Sequence, residues 1–284
     1  MKRPTDPLAR LRGLTLLATS QRLAASAWQR WLARAHARGL ALALVLLAAT
    51  YILGMFNNLE LDGVNAAFAL RGPQQPVAPI VLVTIDSESL TQTGLQWPWP
   101  RDYIAKIVEN IAAGQPKVLL LDVLFYEADQ RGDGDDKLAA TLARAGDVIL
   151  AHDIHTERGA GYIAVTVNRP LPQLAAAASG LGLANIQPDG DAFVRKMLLW
   201  QGHQGELYYS LSVQAAAHYL GVTTDPAPTA DGIRLGTTQV PLDKQELRIN
   251  FQGPRRTFRY YPAYQVASGE IAPETFAGKI VIFG

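Results

Sequence analysis

Hydrophobic positions along the chain follow two patterns. Residues 39–59 form an uninterrupted apolar run without a charged side chain, GLALALVLLAATYILGMFNNL. From residue 80 onward, short apolar runs alternate with segments whose apolar residues recur at helical spacing. The first pattern is typical of a membrane-spanning helix, and the second of an α/β domain.

The apolar run predicts a transmembrane signal anchor. Its 21 residues would extend about 31 Å as a helix, close to the thickness of a bilayer core. Residues 1–38 carry eight basic side chains and one acidic side chain, and such a flank stays in the cytoplasm. A buried soluble helix would be shorter, and a cleavable signal peptide would have a small-x-small site soon after the run. We therefore predict a cytoplasmic segment over 1–38, an anchor over 39–59 and an exported domain over 60–284.

Two interpretations of residues 1–38 stay open. Leucine and tryptophan residues recur among the arginines at helical spacing, which would suit an amphipathic helix on the anionic inner leaflet. The other interpretation is a poorly ordered basic tail that only sets the topology.

The exported region begins with an alternation of strands and helices. Apolar runs at 80–85, 118–121 and 147–151 predict strands buried on both faces. Between them, a helix should begin at Pro100 and end before Gly114, and a second should cover 135–145. Strands that alternate with helices in this way predict a parallel β-α-β-α-β unit.

Beyond residue 152 most predicted elements are short strands, and the region from 60 to 79 is expected to be a transition rich in glycine and proline. One helix is predicted over 208–220 and another near 262–268. The predicted fold class is α/β, a single mixed-sheet domain with a parallel N-terminal half, preceded by one transmembrane helix. The further strands are expected at 162–167, 181–187, 193–200, 232–235, 239–242, 247–251 and 279–284.

Composition excludes several function classes. The chain contains no cysteine, so it has no disulfide, thiolate zinc site, iron–sulfur cluster or cysteine nucleophile. Charged residues make up 18% of the chain and the net charge is +1, which does not suit a nucleic-acid-binding protein. No phosphate-binding glycine motif and no serine-hydrolase elbow is present. We predict no cofactor, no metal and no catalytic residue.

Six motifs in order resemble the second family of CHASE domains, the cyclase- and histidine-kinase-associated sensory extracellular domains. Any one of the motifs is weak, but together they cover residues 60 to 284. Ala192 stands where the family usually has glycine, which puts the local backbone geometry in doubt. The motifs are VTID ending at Asp86, WPWPR from Trp97 to Arg101, LDVLF around Asp122, Asp189–x–Asp191 followed by Arg195, NFQGP from Asn250 through Gly253, and FAGKIVI at 276–282.

The resemblance implies the sensory input of a bacterial membrane receptor. In that family, further transmembrane helices lead to a cyclase, kinase or diguanylate cyclase output domain, so we expect the sensor domain to be incomplete at its C-terminus. The implied location is the inner membrane with the sensor on the periplasmic or extracellular side. The expected partners are the lipid bilayer, an unidentified extracytoplasmic stimulus and a second copy of the chain. The alternatives are an exported interaction or dimerisation module and a periplasmic hydrolase that uses acidic residues.

Asp86 and Asp122 are the first candidates for chemistry. They end two strands that should be parallel and close in the sheet, at the edge where α/β proteins usually bind ligands. They could hold a cation or act as acid and base. The alternative is structural, in which each caps a turn or pairs with Arg101. Lys279 could only join these two carboxylates if it lay at the same edge of the sheet. It precedes its strand, however, and should therefore lie at the opposite edge.

The remaining candidates have structural alternatives of the same kind. Trp97, Trp99 and Arg101 could form an aromatic platform with an anion contact, or a packed loop. Asp191 should pair with Arg195 in a turn that includes Asp189. Asn250 and Gly253 are candidates by resemblance alone. The acidic loop from 127 to 136 is predicted to be solvated, and the His152–x–x–His155 spacing lacks further metal ligands.

Overall fold

The structure is a computed structural model that divides into two compact units, residues 1–71 and 72–284. For residues 55–60 it describes the backbone alone. The described residues are 28, 31–32, 34–51, 55–223, 225–242 and 246–284.

The first unit is helical where it is described. Residues 34–51 are helical, and helix α1 covers Met55–Arg71. The predicted transition from residue 60 is therefore wrong up to Arg71, because the single Gly63 does not end the helix. Residues 52–54 of the predicted anchor, and almost all of residues 1–33, lie outside the described residues. Among the described residues, no helix combines the length and the apolar character that crossing a membrane requires.

The second unit contains six short α-helices in its described part. Pro100 precedes α3 and fixes its first turn, whereas Gly94 ends α2 in the left-handed conformation. The helices are α2 (Ser87–Thr93), α3 (Arg101–Ala112), α4 (Gly134–Arg144), α5 (Pro172–Ala177), α6 (Leu211–Tyr219) and α7 (Ala263–Ser268), and a 3-10 turn covers Pro273–Phe276.

Fourteen strands accompany these helices in the described residues. They are β1 (Ile80–Thr84), β2 (Val118–Leu124), β3 (Val148–Gly159), β4 (Tyr162–Asn168), β5 (Gly180–Leu183), β6 (Lys196–Leu198), β7 (Trp200–His203), β8 (Glu206–Tyr209), β9 (Ala227–Thr229), β10 (Gly232–Leu235), β11 (Thr238–Pro241), β12 (Glu246–Arg248), β13 (Arg259–Pro262) and β14 (Ile280–Phe283).

The main sheet is mixed and seven-stranded. Its order is β13-β1-β14-β2-β3, with β5 parallel to the first half of β3 and β4 antiparallel to the second half. All neighbours from β13 to β5 run parallel. The predicted parallel β-α-β-α-β unit is thereby confirmed in β1, β2 and β3. The smaller sheets are β11-β10-β9, β12-β6 and β7-β8.

Strand β14 lies between β1 and β2. Ile280 pairs with Ile80 on one side and with Val118 on the other. Because β14 comes from the far end of the chain, local patterns around β1 and β2 could not show that it separates them. Lys279 precedes β14 and lies at the opposite edge from Asp86 and Asp122, as predicted.

The two faces of the main sheet are covered differently. Val81, Val83, Leu119, Leu121 and Val281 face the larger core together with α3, α4, α5 and α7. The alternate residues face the opposite side, where the packed helix is α6 and the buried cluster is much smaller. This second face is the less completely covered one and carries the cavity described below.

Several predicted elements are shifted. The helix predicted over 208–220 begins at Leu211, because Tyr208 and Tyr209 belong to β8. Its buried stripe is Val213, Ala215 and Ala217, while Leu220 is more than half exposed. The predicted strand at 193–200 is divided into β6 and β7. Helix α2 and strand β13 were not predicted, and β3 continues eight residues beyond the predicted end at 151.

Candidate functional site

Asp86 follows β1 and caps α2. Its carboxylate accepts a hydrogen bond from the Ser89 amide at 2.8 Å, which satisfies an N–H group at the start of the helix. The capping prediction is confirmed. The alternative, a pair between Asp86 and Arg101, is wrong, because Arg101 is paired with Asp135.

Asp86 and Asp122 do not form a two-carboxylate site. Strand β14 lies between the strands that carry them, and two strand spacings amount to about 10 Å. The prediction that the two strands are parallel is correct, but the prediction that they bring the carboxylates close together is wrong. The acid-based hydrolase loses its geometric basis.

The WPWPR loop contributes mainly to packing. Trp99 is fully buried in the larger core and meets Tyr103 edge-on, with ring centroids 5.1 Å apart. Trp97 is about half exposed and contacts Trp99 at 6.1 Å. The peptide bond between Trp97 and Pro98 is cis. Of the two tryptophans in the predicted aromatic platform, Trp97 is the one whose ring is accessible to solvent.

Arg101 is buried at the start of α3 and organises the acidic loop. Its Nε lies 3.1 Å from a carboxylate oxygen of Asp135, and its Nη2 donates to the Glu127 carbonyl at 3.0 Å. The guanidinium also stacks over the Phe125 ring. With these contacts filled, Arg101 holds the loop and does not face a ligand.

The acidic loop is accordingly less solvated than predicted. Asp135 is buried, and its second oxygen accepts from the Asp129 amide at 2.8 Å. Asp129 in turn accepts from the Arg101 amide at 3.0 Å. Desolvation alone would raise the pKa of Asp129, but hydrogen bonds from the Arg101 and Arg131 amides, together with the charges of both arginines, lower it overall.

The Asp189–Arg195 segment is a closed turn. The buried Arg195 guanidinium reaches Asp189 at 3.1 Å and both Asp191 oxygens at 2.8 Å, which confirms the predicted pair. The bonds from Arg195 lower the pKa of Asp191. Ala192 adopts a φ of 66°, so the left-handed geometry is present at this position without a glycine.

The NFQGP turn fixes the start of the second unit. The Gln252 carbonyl accepts a hydrogen bond from the Gln74 amide at 2.6 Å. A Cβ on Gly253 would lie 2.5 Å from Thr257 Oγ1 and 3.3 Å from Pro73 Cβ, so glycine permits this close approach. Asn250 accepts through its carbonyl from the Gln252 side chain at 2.9 Å. These residues position backbone segments.

Asp122 differs from the other candidates because it faces a cavity. Within β2, Leu121 and Val123 point into the larger core, so Asp122 points to the second face of the sheet. There it lines a cavity of about 410 Å³. The floor of this cavity consists of four aliphatic side chains from three adjacent central strands, which are Ile80, Leu120, Ile280 and Ile282.

The walls of the cavity come from α6 on one side and, on the other, from the end of β5, the residues after it and β6. Leu211, Ser212, Ala215 and Ala216 of α6 form one wall, and residues 183–186 with Met197 form the other. Gly182 brings α6 close, since a Cβ there would lie 2.6 Å from the Leu211 Cα. Asn185 fixes the second wall by accepting from the Ile154 amide at 2.7 Å and donating to its carbonyl at 2.9 Å.

The environment of the Asp122 carboxyl is apolar although the side chain is accessible. Solvent reaches Asp122 through the cavity, but the aliphatic walls replace much of the bulk water around it. This desolvation raises the pKa of Asp122. The cavity therefore offers a ligand an apolar surface and one carboxyl that gains from a hydrogen-bond donor or a cation.

Most residues that the sequence marked as candidates for a functional site thus have structural roles and do not lie together. The structure uses Asp86, Trp99, Arg101, Asp189, Asp191, Arg195 and Gly253 in capping or packing. The cavity residues on α6 and Met197 were missed, because they look like ordinary core positions in the sequence. The described residues contain no cluster of three or more histidine, aspartate or glutamate side chains that could hold a metal ion.

Comparison with known proteins identifies the family. Neither the curated proteins nor the solved structures include a match to the chain. The family model of the CHASE2 domain matches residues 40–284, which is most of the chain. CHASE2 domains are extracytoplasmic sensory domains of signalling receptors and are not catalytic. The chain belongs to the CHASE2 family.

Proposed function

We propose that this chain is the sensory input region of a bacterial inner-membrane receptor and that its stimulus is a small molecule bound beside Asp122. The output would be a nucleotide cyclase, a kinase or a diguanylate cyclase. The observation that carries the proposal is the aliphatic cavity with one desolvated carboxyl at its wall.

The proposed membrane anchor rests on charge and apolar character. Eight basic residues precede the uncharged run at 39–59, and the family match begins at residue 40 within that run. The side chains from Leu40 to Leu47 include six large aliphatic residues that are each more than half exposed. Such exposure is costly in water and favourable in lipid. We propose that the basic residues stay in the cytoplasm and that the domain after the anchor is exported.

The chemistry of the cavity indicates the class of stimulus. Aliphatic side chains dominate the lining, and the carboxyl accepts hydrogen bonds once ionised. A molecule with a short apolar body and one ammonium group would satisfy both features. A primary alkylamine is the simplest probe with this chemistry.

Binding would act on elements that meet at the cavity. A ligand there contacts α6 on one side and the three central strands β1, β14 and β2 on its floor. If the ligand prefers one arrangement of α6 against the sheet, it shifts the population toward that arrangement. Such a population shift is how a sensory domain transmits a binding event.

The binding experiment compares hexylamine with hexanol on the full chain in detergent. We expect Asp122→Asn to weaken hexylamine binding about tenfold and to leave hexanol nearly unchanged, because the ionic contact alone is lost. Ala216→Met should weaken both ligands by filling the cavity. Asp136→Asn, at an exposed position on α4, is the matched control. Equal hexylamine affinity in the Asp122 and Asp136 variants would contradict the proposed site.

The topology experiment uses the absence of cysteine. A single cysteine replaces exposed Gln130 in one variant and Ser20 in another. A membrane-impermeant maleimide added to intact cells should label only Gln130→Cys. Labelling of Ser20→Cys alone would reverse the proposed orientation. The alternative function, an exported interaction or dimerisation module, predicts different results. The chain would form a dimer in a concentration-dependent way, and neither hexylamine nor hexanol would have an effect.

A further inference from the structure

His152 is a buried polar residue of the main sheet. It lies on β3 with 4% of its surface exposed, and neither ring nitrogen has a partner among the described residues. The Tyr208 ring is tilted against it, with the centroids 5.6 Å apart. Buried polar side chains are nearly always satisfied, so an unsatisfied imidazole marks a position where a ligand would supply the missing bond.

A cavity of about 330 Å³ adjoins this imidazole. It is separate from the Asp122 cavity and shares none of its lining residues. Its walls combine apolar and aromatic side chains with a few polar groups. The lining residues that matter here are His152, Arg169, Leu181, Glu206, Tyr208 and Tyr209.

Arg169 supplies the positive charge of the cavity. Its Nη2 donates to Glu206 at 2.7 Å and to the Tyr208 hydroxyl at 3.2 Å, and the guanidinium lies over the Tyr208 ring. Glu206 also accepts from the Tyr208 hydroxyl at 2.6 Å. Within the described part of the chain, both hydrogen bonds of the Arg169 side chain use Nη2, so Nε and Nη1 keep donors for a further anion.

The protonation of His152 responds to the charges that lie around it. Burial lowers the pKa of His152 to about 4, and the nearby Arg169 adds to this effect while Asp153 opposes it. A ligand carboxylate would pair with Arg169 and stabilise the imidazolium at the same time. The titratable groups around His152 are Asp153, its neighbour on β3, and four residues that line the same cavity, which are Arg169, Glu206, Tyr208 and Tyr209.

We propose that this cavity binds a small organic carboxylate with an aromatic or apolar body. The carboxylate accepts from the remaining Arg169 donors and from the His152 ring, while the body lies against Tyr208, Tyr209 and Leu181. Because the ligand favours protonated His152, binding takes up a proton and tightens as the pH falls from neutral toward 5. This site is independent of the proposed Asp122 ligand site.

Glu206 competes for the same guanidinium. Its carboxylate already occupies one side of Arg169, so a ligand carboxylate is partly opposed by its charge. We expect Glu206→Gln to strengthen carboxylate binding. The competition also links the site to the β7-β8 hairpin, on which Glu206 lies.

Calorimetric titration of the full chain with benzoate tests the proposal, with benzamide as the neutral isostere. At pH 6, we expect benzoate to bind at least about tenfold more tightly than benzamide. Comparison of two buffers with different ionisation enthalpies should show proton uptake on benzoate binding. Arg169→Gln should abolish the preference for benzoate. Arg234→Gln, at an exposed position on β10, should keep it.

Three results would overturn the proposal: equal binding of benzoate and benzamide, an unchanged preference in Arg169→Gln, or no proton uptake. Since Arg169 is about half exposed, its substitution leaves the core intact. His152→Asn keeps polarity but cannot become charged, so it should remove the proton uptake. Asp122→Asn should leave benzoate binding unchanged, which separates failure of this site from failure of the Asp122 site.

Discussion

At the scale of single residues, the charged side chains of the family motifs mostly have structural partners. Asp86 caps a helix, Arg101 meets Asp135, and Arg195 meets two aspartates. The sequence supported the Asp191–Arg195 pair because both partners lie within one turn. It could not indicate the Arg101–Asp135 pair, since the partners are 34 positions apart. Several other carboxylates could have paired with Arg101 equally well.

Removal of Arg101 should be costly. Arg101→Ala leaves Asp135 buried without its cation, and breaking such a buried pair costs about 3 kcal/mol of unfolding free energy. Urea unfolding measures the change. Lys137→Ala breaks the exposed Lys137–Asp133 pair and should have no measurable effect. Equal effects of the two substitutions would contradict the structural role of Arg101.

Asp122→Asn should stabilise the protein at neutral pH. Desolvation raises the folded-state pKa of Asp122, so its ionisation weakens folding as the pH rises through that pKa. An uncharged asparagine avoids this cost. The gain in melting temperature should disappear below the unfolded-state pKa of about 4, where both residues are neutral. A gain that is the same at pH 3 and pH 7 would exclude ionisation as its cause.

Ala192→Gly should also stabilise the protein. The left-handed φ of 66° destabilises an alanine by about 1–2 kcal/mol, and glycine avoids this cost. Glycine is also more flexible in the unfolded state, which cancels about half of the resulting gain in stability. The net increase should be about 0.5–1 kcal/mol in urea unfolding. Ala140→Gly, at an exposed position inside α4, should instead destabilise by about 1 kcal/mol.

At the scale of secondary structure, local patterns located most elements but not their neighbours. The alternation around β1, α3, β2 and α4 was clear because Pro100 marks the start of α3, and Gly114 and Gly146 follow the ends of α3 and α4. The insertion of β14 between β1 and β2 was not predictable from local spacing, since it depends on pairing across more than 150 residues. That insertion decides that Asp86 and Asp122 stay apart.

The start of α6 was misplaced for a related reason. Tyr208 and Tyr209 continue the apolar helical spacing of the residues after them, but they pair with β7 as strand β8. The Ser210 side chain then caps the helix by accepting from the Val213 amide. The cavity wall therefore begins at Leu211, and sequence reasoning could not identify it.

Gly182→Ala should displace α6. The Cβ of the alanine would lie 2.6 Å from the Leu211 Cα. Because Leu211 Cα is a backbone atom of α6, the clash can be relieved only if the helix moves. Overpacking of this kind costs about 1–3 kcal/mol and should also weaken hexylamine binding. Gly202→Ala is the control, because the nearest atom to its Cβ lies 3.8 Å away. A fully stable Gly182 variant with unchanged ligand affinity would contradict the close approach of α6.

At the scale of the whole molecule, the chain joins a basic, apolar N-terminal region to an α/β sensory domain. The two faces of the main sheet have different roles. The face with four helices forms the larger core, whereas the face with α6 leaves room for a ligand. Sequence motifs marked Asp122 but not the cavity around it, because its other residues are ordinary aliphatic positions.

Hydrogen–deuterium exchange of the full chain with and without hexylamine tests whether the ligand binds beside Asp122. We predict that hexylamine slows exchange in α6 and in residues 183–186, which form the cavity walls. Asp122→Asn should remove this protection, and Asp136→Asn should retain it. Protection confined to other parts of the chain, or equal protection in the Asp122→Asn variant, would contradict a ligand site beside Asp122.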